Sequence, residues 1–224
     1  GREPEILKIA YSVTAKTGVP VDPQYVAAVE QTAAWLESLG HKVEEAEAEY
    51  DGVALGNAVK TIIGGNMMAA VRKHAARVGR EPGEDDLEQV IQRRVALGDS
   101  LTATDYATAV QTMHGVGRLI GEFMTEWDAI MTPTVARPPL GIGDLNTNTN
   151  DVDTFLKNLY GFIPFTAVFN ATGQPAMSVP LHQDADGLPI GIQFAGRFGD
   201  EATLFRLAGQ LEREHPWSAR RPTI

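Results

Sequence analysis

The chain has 224 residues, no cysteine and a formal net charge of -10. The missing cysteine excludes disulfides, thiolate zinc sites and cysteine nucleophiles, and the acidic balance argues against a nucleic-acid partner, because phosphate binding needs clustered Lys and Arg. The hydrophobic fraction of 43% is typical of a globular protein. Because no apolar run approaches the roughly 20 residues of a membrane helix, we expect a cytoplasmic protein without a membrane segment.

The first 50 residues have the pattern of a β-α-β unit. Ile6–Val13 is predicted to be a strand, and His41–Tyr50 is a second, more acidic strand candidate. Between them, Asp22 is a favourable N-cap and Pro23 suits the first helical position, while Gly40 can end the helix in a left-handed conformation. A β-α-β unit favours parallel pairing of the two strands.

The middle of the chain is predicted to be helical. Residues 52–78 are rich in Ala, Met, Ile and Val, and Gly64-Gly65 within them indicates a break or a close-packing point. Thr102 followed by Asp105 imitates a capping box at the start of a long helix. The predicted helices run over Gly52–Val78, over Leu87–Leu97 and from Thr102 to Trp127.

The last hundred residues alternate strands with short helices. A buried strand is predicted at Ala129–Thr134, followed by a loop over residues 137–153 that is long enough to be functional or mobile. The remaining predicted elements are a short helix over 153–160, two strands over 176–181 and 189–195 joined by the turn Asp184–Gly187, and a helix capped by Asp200. This order predicts an α/β fold with a mixed β-sheet flanked by helices, in a single domain over residues 1–224.

Catalytic side chains are not evident from residue types and spacing. The five serines, Ser12, Ser38, Ser100, Ser178 and Ser218, include no adjacent pair and no Gly-x-Ser-x-Gly. We expect Ser178 to be buried and bonded to the backbone, Lys60 to be solvated, and His114 to be structurally bonded rather than a general base. An independent enzyme built on Lys60 and His114 is the weakest interpretation. Neither a metal nor a cofactor is predicted.

Four segments carry a family resemblance. They are Lys8-Ile-Ala-Tyr-Ser, Trp127-Asp-Ala-Ile-Met-Thr-Pro-Thr, Asn170-Ala-Thr-Gly-Gln-Pro-Ala-Met-Ser-Val-Pro, and the stretch from Gly187 to Leu204 with its Phe-Gly-Asp-Glu helix start. In order and spacing they resemble the C-terminal half of the amidase-signature hydrolases, and Phe165–Pro175 is similar to the general amidases of the cyclic-dimer hydrolase type within that family.

The resemblance implies a catalytic mechanism whose central residues are missing here. The family cleaves amides with a Ser–cis-Ser–Lys triad in its N-terminal half, around a Gly-Gly-Ser-Ser-Gly-Gly run that this sequence lacks. The resemblance therefore implies a portion that completes the sheet and supplies walls of the substrate pocket. By position these walls are Thr132, Phe165, Thr166 and Asn170. Where glutamine-specific members have an Asp, this chain has Ile163, which argues for an apolar or uncharged amide.

Two functions remain open at this point. The first is the C-terminal portion of an amidase acting on non-peptide linear or cyclic amides, inactive alone and partnered by an N-terminal catalytic half. The second is a free-standing, non-catalytic interaction module that keeps an amidase-like half fold. Because half of a sheet exposes an apolar edge and face, we also expect a large hydrophobic patch or a homo-oligomer.

Overall fold

The computed structural model of the chain describes residues 4–220. These residues form five strands and seven helices, and most predicted elements are present. In chain order the elements are β1 (Lys8–Tyr11), α1 (Pro23–Ser38), β2 (Lys42–Glu45), α2 (Gly52–Val78), α3 (Gln89–Ser100), α4 (Ala103–Phe123), β3 (Ala129–Pro133), α5 (Val152–Phe162), α6 (Ala167–Thr172), β4 (Ala176–Gln183), β5 (Pro189–Gly196) and α7 (Glu201–Glu214).

The strands form one mixed sheet in the order β2-β1-β3-β5-β4. Strand β1 pairs in parallel with both β2 and β3, whereas β5 pairs antiparallel with β3 and with β4. The predicted parallel β-α-β unit and the mixed α/β class are thus confirmed. Strands β1 and β2 are shorter than predicted.

Helix ends follow the residues predicted to cap them. The side chain of Asp22 accepts a hydrogen bond from the N–H of Gln24 at the start of α1, and Gly40 after that helix has a φ of 95°. Asp200 likewise accepts from the N–H of Thr203 at the start of α7. These bonds satisfy N–H groups that have no partner within the helix.

Two compact units make up the described chain. The first unit comprises the described residues up to Tyr50, Gly117–Pro138 and the described residues from Ile163 onward, and it contains the whole sheet. The second comprises Asp51–Val116 and Pro139–Phe162. The single domain expected over residues 1–224 stays a prediction.

The main core of the first unit lies on one face of the sheet. Helices α1 and α7 cover this face, and Leu36, Leu207 and Leu211 are fully buried there against Ile192 and Phe194 of β5. Fully burying an aliphatic side chain of this size contributes roughly 1.5–3 kcal/mol. This face is therefore the main source of stability in the unit.

A half-buried histidine stacks on a tryptophan at the border of this core. His182 of β4 stacks on Trp35 of α1 with ring centroids 4.5 Å apart, and His215 stacks on the same tryptophan at 3.8 Å. His182 Nε2 lies 2.8 Å from Thr32 Oγ1, whose hydroxyl hydrogen goes to the Ala28 carbonyl. Thr32 therefore accepts from His182, which places a proton on Nε2.

In the second unit, α2 is continuous through Gly64-Gly65. The glycine pair marks a close approach rather than a break, because a Cβ at Gly98 of α3 would collide with the Gly64 carbonyl. The capping box predicted before α4 is also present: Thr102 and Asp105 exchange side-chain-to-backbone hydrogen bonds of 2.8 and 3.1 Å. Glycine is present in these helices despite its low helix propensity, because the backbones of α2 and α3 approach too closely for a side chain at Gly98.

Strand β4 is an edge strand of the sheet within the described residues. Its inner side pairs with β5. On the outer side, the Arg220 guanidinium donates to the carbonyls of Pro180 and Leu181 at 3.2 and 3.0 Å. Pro180 has no N–H to offer a further strand. The rest of the strand, Ala176–Val179 and His182–Gln183, carries no such cap.

None of the helices found in residues 4–220 combines the length and apolar character needed to cross a lipid bilayer.

Candidate functional site

A row of polar side chains crosses the sheet on the face away from α1 and α7. Ser178 of β4 lies opposite Gln193 of β5, and Gln193 lies opposite Thr132 of β3. Successive side chains of a strand point to opposite faces, and the neighbouring Ile192 and Phe194 belong to the main core. Gln193 and Thr132 are nevertheless buried, at 4% and 6% exposure. Polar side chains kept in such a position are candidates for function.

Gln193 joins two parts of this face. Its Nε2 donates to Thr132 Oγ1 at 3.0 Å and to the carbonyl oxygen of Phe165 at 3.4 Å, and the Thr132 hydroxyl donates to the Pro133 carbonyl. One side-chain amide thus holds the end of β3 against the segment that leads into α6. No motif in the sequence analysis identified Gln193, although a glutamine inside an apolar strand is itself a signal of a bonded, buried amide.

Ser178 differs from the sequence prediction. It is exposed, and its hydroxyl lies 2.6 Å from that of Thr134 rather than on a backbone group. The pair depends on Gly191 between them, because a Cβ there would lie 2.7 Å from Ser178 Oγ and 2.9 Å from Thr134 Oγ1. The expectation failed because only one face of β4 is covered: Val179 and Leu181 are buried in the main core, whereas Ala176 and Ser178 on the other face are exposed.

A cavity of about 50 Å³ continues the polar row at the carboxyl ends of the parallel strands. Ser12 follows β1 directly, Glu47 and Tyr50 follow β2, and Thr132 lies near the end of β3. Open α/β sheets bind ligands outside the carboxyl ends of their strands. The apolar part of the lining comes from Ile120, Ile130, Pro164, Phe165, Val168 and Phe169.

The polar side of this cavity is a bonded network. Lys16 Nζ donates to one carboxylate oxygen of Glu47 at 2.8 Å, and the Ser12 hydroxyl donates to the other at 2.8 Å. Ser12 Oγ also accepts from the N–H of Thr14 at 3.1 Å. Ser12 and Glu47 meet because the parallel register aligns Tyr11 with Glu45. The network is thus a consequence of strand pairing.

Protonation states in the network follow from burial and pairing. Burial acts to raise the pKa of Glu47, but its hydrogen bonds from Lys16 and Ser12 outweigh burial and hold the pKa below its ordinary value. Burial acts to lower the pKa of Lys16, and the bond to Glu47 again outweighs it, so this pKa is raised. Burial, with a smaller effect of Glu47, raises the pKa of Tyr50 to about 12. At neutral pH the cavity therefore presents an ion pair and a neutral phenol.

The sequence matches the family model described as Amidase over residues 1–205, which is most of the chain. The chain belongs to the amidase family. The resemblance found in the sequence motifs is therefore confirmed.

Relatives of this amidase-family chain are longer than the chain itself. It is 33% identical over 215 residues to the 6-aminohexanoate-cyclic-dimer hydrolase of Paenarthrobacter ureafaciens, covering 91% of the chain and 43% of that protein. The hydrolase of the same name from Pseudomonas sp. (strain NK87) gives the same values. A solved structure of 6-aminohexanoate cyclic dimer hydrolase complexed with substrate superposes with a TM-score of 0.86 at 29% identity, covering 100% of the chain and 48% of that structure. The chain spans less than half the length of these relatives.

The four pocket residues predicted from the amidase resemblance separate into two pairs. Thr132 and Phe165 line the cavity, and Gln193 bonds to both residues. Thr166 precedes α6 without a side-chain capping bond, and Asn170 is exposed on that helix. Neither of these two lines the cavity. A substrate contact for any of the four stays a prediction.

Other groups considered for catalysis lie away from this cavity. Lys60 is exposed, as predicted, with its ammonium 5.1 Å from the centre of the Tyr160 ring in the second unit. His114 is exposed on α4 and its side chain has no hydrogen-bond partner among the described residues, contrary to the expectation of a structurally bonded histidine. In residues 4–220, no group of three or more His, Asp or Glu side chains is arranged to hold a metal ion. The cavity beside Thr132 is thus the best-supported candidate site of this amidase-family chain.

Proposed function

We propose that this chain is the C-terminal portion of an amide hydrolase that cleaves C–N bonds of non-peptide linear or cyclic amides. The observation that carries the proposal is the cavity at the carboxyl ends of β1, β2 and β3, where Thr132 and Phe165 meet. Membership of the amidase family supports the reaction type. The chain's role is to form part of the sheet and part of the substrate pocket.

The nucleophile and its base come, in this proposal, from an N-terminal catalytic half. None of the five serines of the chain has a serine neighbour, so the chain offers no Ser–cis-Ser arrangement. Coverage of only 43–48% of the relatives supports a larger working enzyme. Without a nucleophile and base, only binding and residual electrostatic stabilisation remain. We therefore expect no amide hydrolysis by this chain alone.

The proposed substrate is an apolar or uncharged amide. Two observations support this choice: Ile163 stands where the resemblance to glutamine-specific members would require a carboxylate, and most of the cavity wall is apolar. An apolar wall does not compensate a charge that is removed from water. A cytoplasmic location and a homo-oligomer stay predictions.

The experiment has a sequence part and an activity part. The coding sequence that precedes Gly1 should contain two adjacent serines within a Gly-Gly-Ser-Ser-Gly-Gly run. The segment encoded there is then expressed separately, and hydrolysis of a panel of simple amides is measured for each part and for their mixture. We expect activity in the mixture only.

Each alternative outcome has a distinct meaning. Amide hydrolysis by this chain alone would refute the assignment of the nucleophile to another segment. A preceding sequence without paired serines, together with an inactive mixture, would favour the non-catalytic interaction module instead. Replacement of the second paired serine by alanine in the N-terminal segment is the control, because it should abolish activity of the mixture without preventing association.

A further inference from the structure

The polar end of the cavity contains one cation and one anion that compensate each other. Lys16 Nζ and the Glu47 carboxylate are 2.8 Å apart, and their side chains are 17% and 34% exposed. A third charge, Glu49, contacts Lys16 at 3.5 Å from the solvent side, where it is 88% exposed and therefore largely screened. The groups that face the cavity are thus close to neutral as a set.

This compensated pair still has free hydrogen-bonding capacity. An ammonium has three N–H donors, and Lys16 uses two of them on Glu47 and Glu49. A carboxylate accepts about four hydrogen bonds, and Glu47 receives side-chain bonds from Lys16 and Ser12. The end of the cavity can therefore donate and accept at neighbouring points.

The geometry selects against a charged ligand. A carboxylate bonded to Lys16 would lie beside the Glu47 carboxylate, and an ammonium bonded to Glu47 would lie beside the Lys16 ammonium, so each ion would meet a like charge. Because the pair is already compensated, neither ion would gain a net counter-charge for the solvation that it loses on entering the cavity. A planar group that carries both an N–H donor and a carbonyl acceptor can instead bond to both members of the pair without separating them.

The size of the cavity limits the part of the ligand that enters. About 10–15 Å³ of such volume holds one water molecule, so a cavity of about 50 Å³ accepts a group of several heavy atoms. The rest of the lining is mostly apolar and includes Phe165 and Val168. A short alkyl chain that ends in a carboxamide matches both parts.

We propose that Lys16, Glu47 and Ser12 form a specificity subsite that accepts the uncharged donor-and-acceptor end of a ligand and rejects carboxylates and ammonium groups. The subsite rests on the proposed function only where its ligand is taken to be a hydrolase substrate. The preference for neutral over charged ligands depends only on Lys16, Glu47 and Ser12, so it can be measured without catalytic activity.

The test uses three probes that share a propyl chain and differ in charge: butanamide, butyrate and n-propylammonium. Binding to the 224-residue chain is followed by NMR chemical-shift changes, since such small ligands bind weakly. Because the alkyl part contributes similarly to the binding free energy of each probe, differences between their dissociation constants report on the polar group of the probe. We expect the Kd of butanamide to be lower than that of either ion by about threefold or more.

Two variants extend the test to the ion pair. Glu47→Gln removes the less exposed of the two carboxylates that contact Lys16 and should shift the preference toward butyrate, whereas Lys16→Met should shift it toward n-propylammonium. Glu37→Gln, an exposed carboxylate on α1, is the matched control and should keep the wild-type order. Circular dichroism verifies that each variant is folded, and the wild-type order alone already tests the neutral preference.

Several results would overturn the proposal. These are equal Kd values for the three probes, tighter binding of either ion by the wild-type chain, no binding of butanamide, or a preference that the two variants leave unchanged. An inactive mixture in the hydrolysis experiment would not change any of these binding results. Failure of the proposed function and failure of the subsite are therefore distinguishable.

Discussion

Replacing His182 by glutamine should remove a specific part of the acid sensitivity of the fold. Burial, followed by the nearby charges of Arg220 and His215, lowers the pKa of His182 from 6.5 to about 4. The unfolded chain binds a proton near pH 6.5 and the folded chain does not until about pH 4. The contribution of this group to the free energy of unfolding is therefore fully present above pH 6.5 and is lost as the pH falls from 6.5 to about 4.

The magnitude follows from the two pKa values. Between about pH 7.5 and about pH 5, a group with these values loses at most about 2 kcal/mol of stability. We expect about 1 kcal/mol, because the His182 ring is only half-buried and solvent weakens the effect. The Nε2 proton donated to Thr32 is present in both protonation states, so this hydrogen bond does not oppose protonation.

The assay is urea unfolding of the wild-type chain and of His182→Gln at both pH values. The variant can be less stable at each pH, because it loses the stacking on Trp35, but the stability difference between the two chains should shrink by about 1 kcal/mol at the lower pH. His114→Gln, at an exposed position of α4, is the control and should follow the wild-type chain. Parallel pH dependences of wild type and His182→Gln would refute the reasoning.

Three further substitutions, the first with a matched control substitution, test packing and capping by the change in unfolding free energy. Gly98→Ala should destabilise the second unit by about 1–3 kcal/mol, because the new Cβ collides with the Gly64 carbonyl. The control, Gly56→Ala, has open space around it and should stabilise by about 0.5–1 kcal/mol. Equal effects of the two substitutions would contradict the close approach of α2 and α3. Gly191→Ala should cost about 1–3 kcal/mol by separating two hydroxyls, and a neutral result would place the strands farther apart. Asp200→Ala should lower the free energy of unfolding by about 1 kcal/mol, because the N-cap of α7 is lost. An unchanged free energy would contradict the capping role of Asp200.

Elements with strong local signals could be predicted from the sequence. The Asp22-Pro23 start of α1, the capping box of α4 and the Asp200 cap of α7 each depend on side chains within a few residues of the helix start. The β4–β5 hairpin was likewise indicated by its turn over Asp184–Gly187. Local hydrogen bonding and hydrophobic periodicity decide such elements, so tertiary context changed only their bounds.

The short helix α6 and the polar network had no local signal of this kind. Helix α6 has six residues, too few to show a helical period, and burial of Val168 and Phe169 holds it in place. Ser12 and Glu47 are 35 residues apart and meet only through the register of β1 with β2. Thr132 and Phe165 were predicted from the family resemblance, whereas Lys16, Glu47 and Gln193 became visible only with the sheet.

The cap on the outer side of β4 affects how the chain behaves at high concentration. An uncovered edge strand is a template for pairing with another molecule. Arg220 occupies the Pro180 and Leu181 carbonyls, and the proline ring supplies no donor, so the open part of the edge is divided into Ala176–Val179 and His182–Gln183. Both stretches are shorter than the segments of about six or seven residues that stack into extended intermolecular sheets. We therefore expect Arg220→Ala to precipitate at a lower concentration than the wild-type chain, as measured by light scattering during concentration.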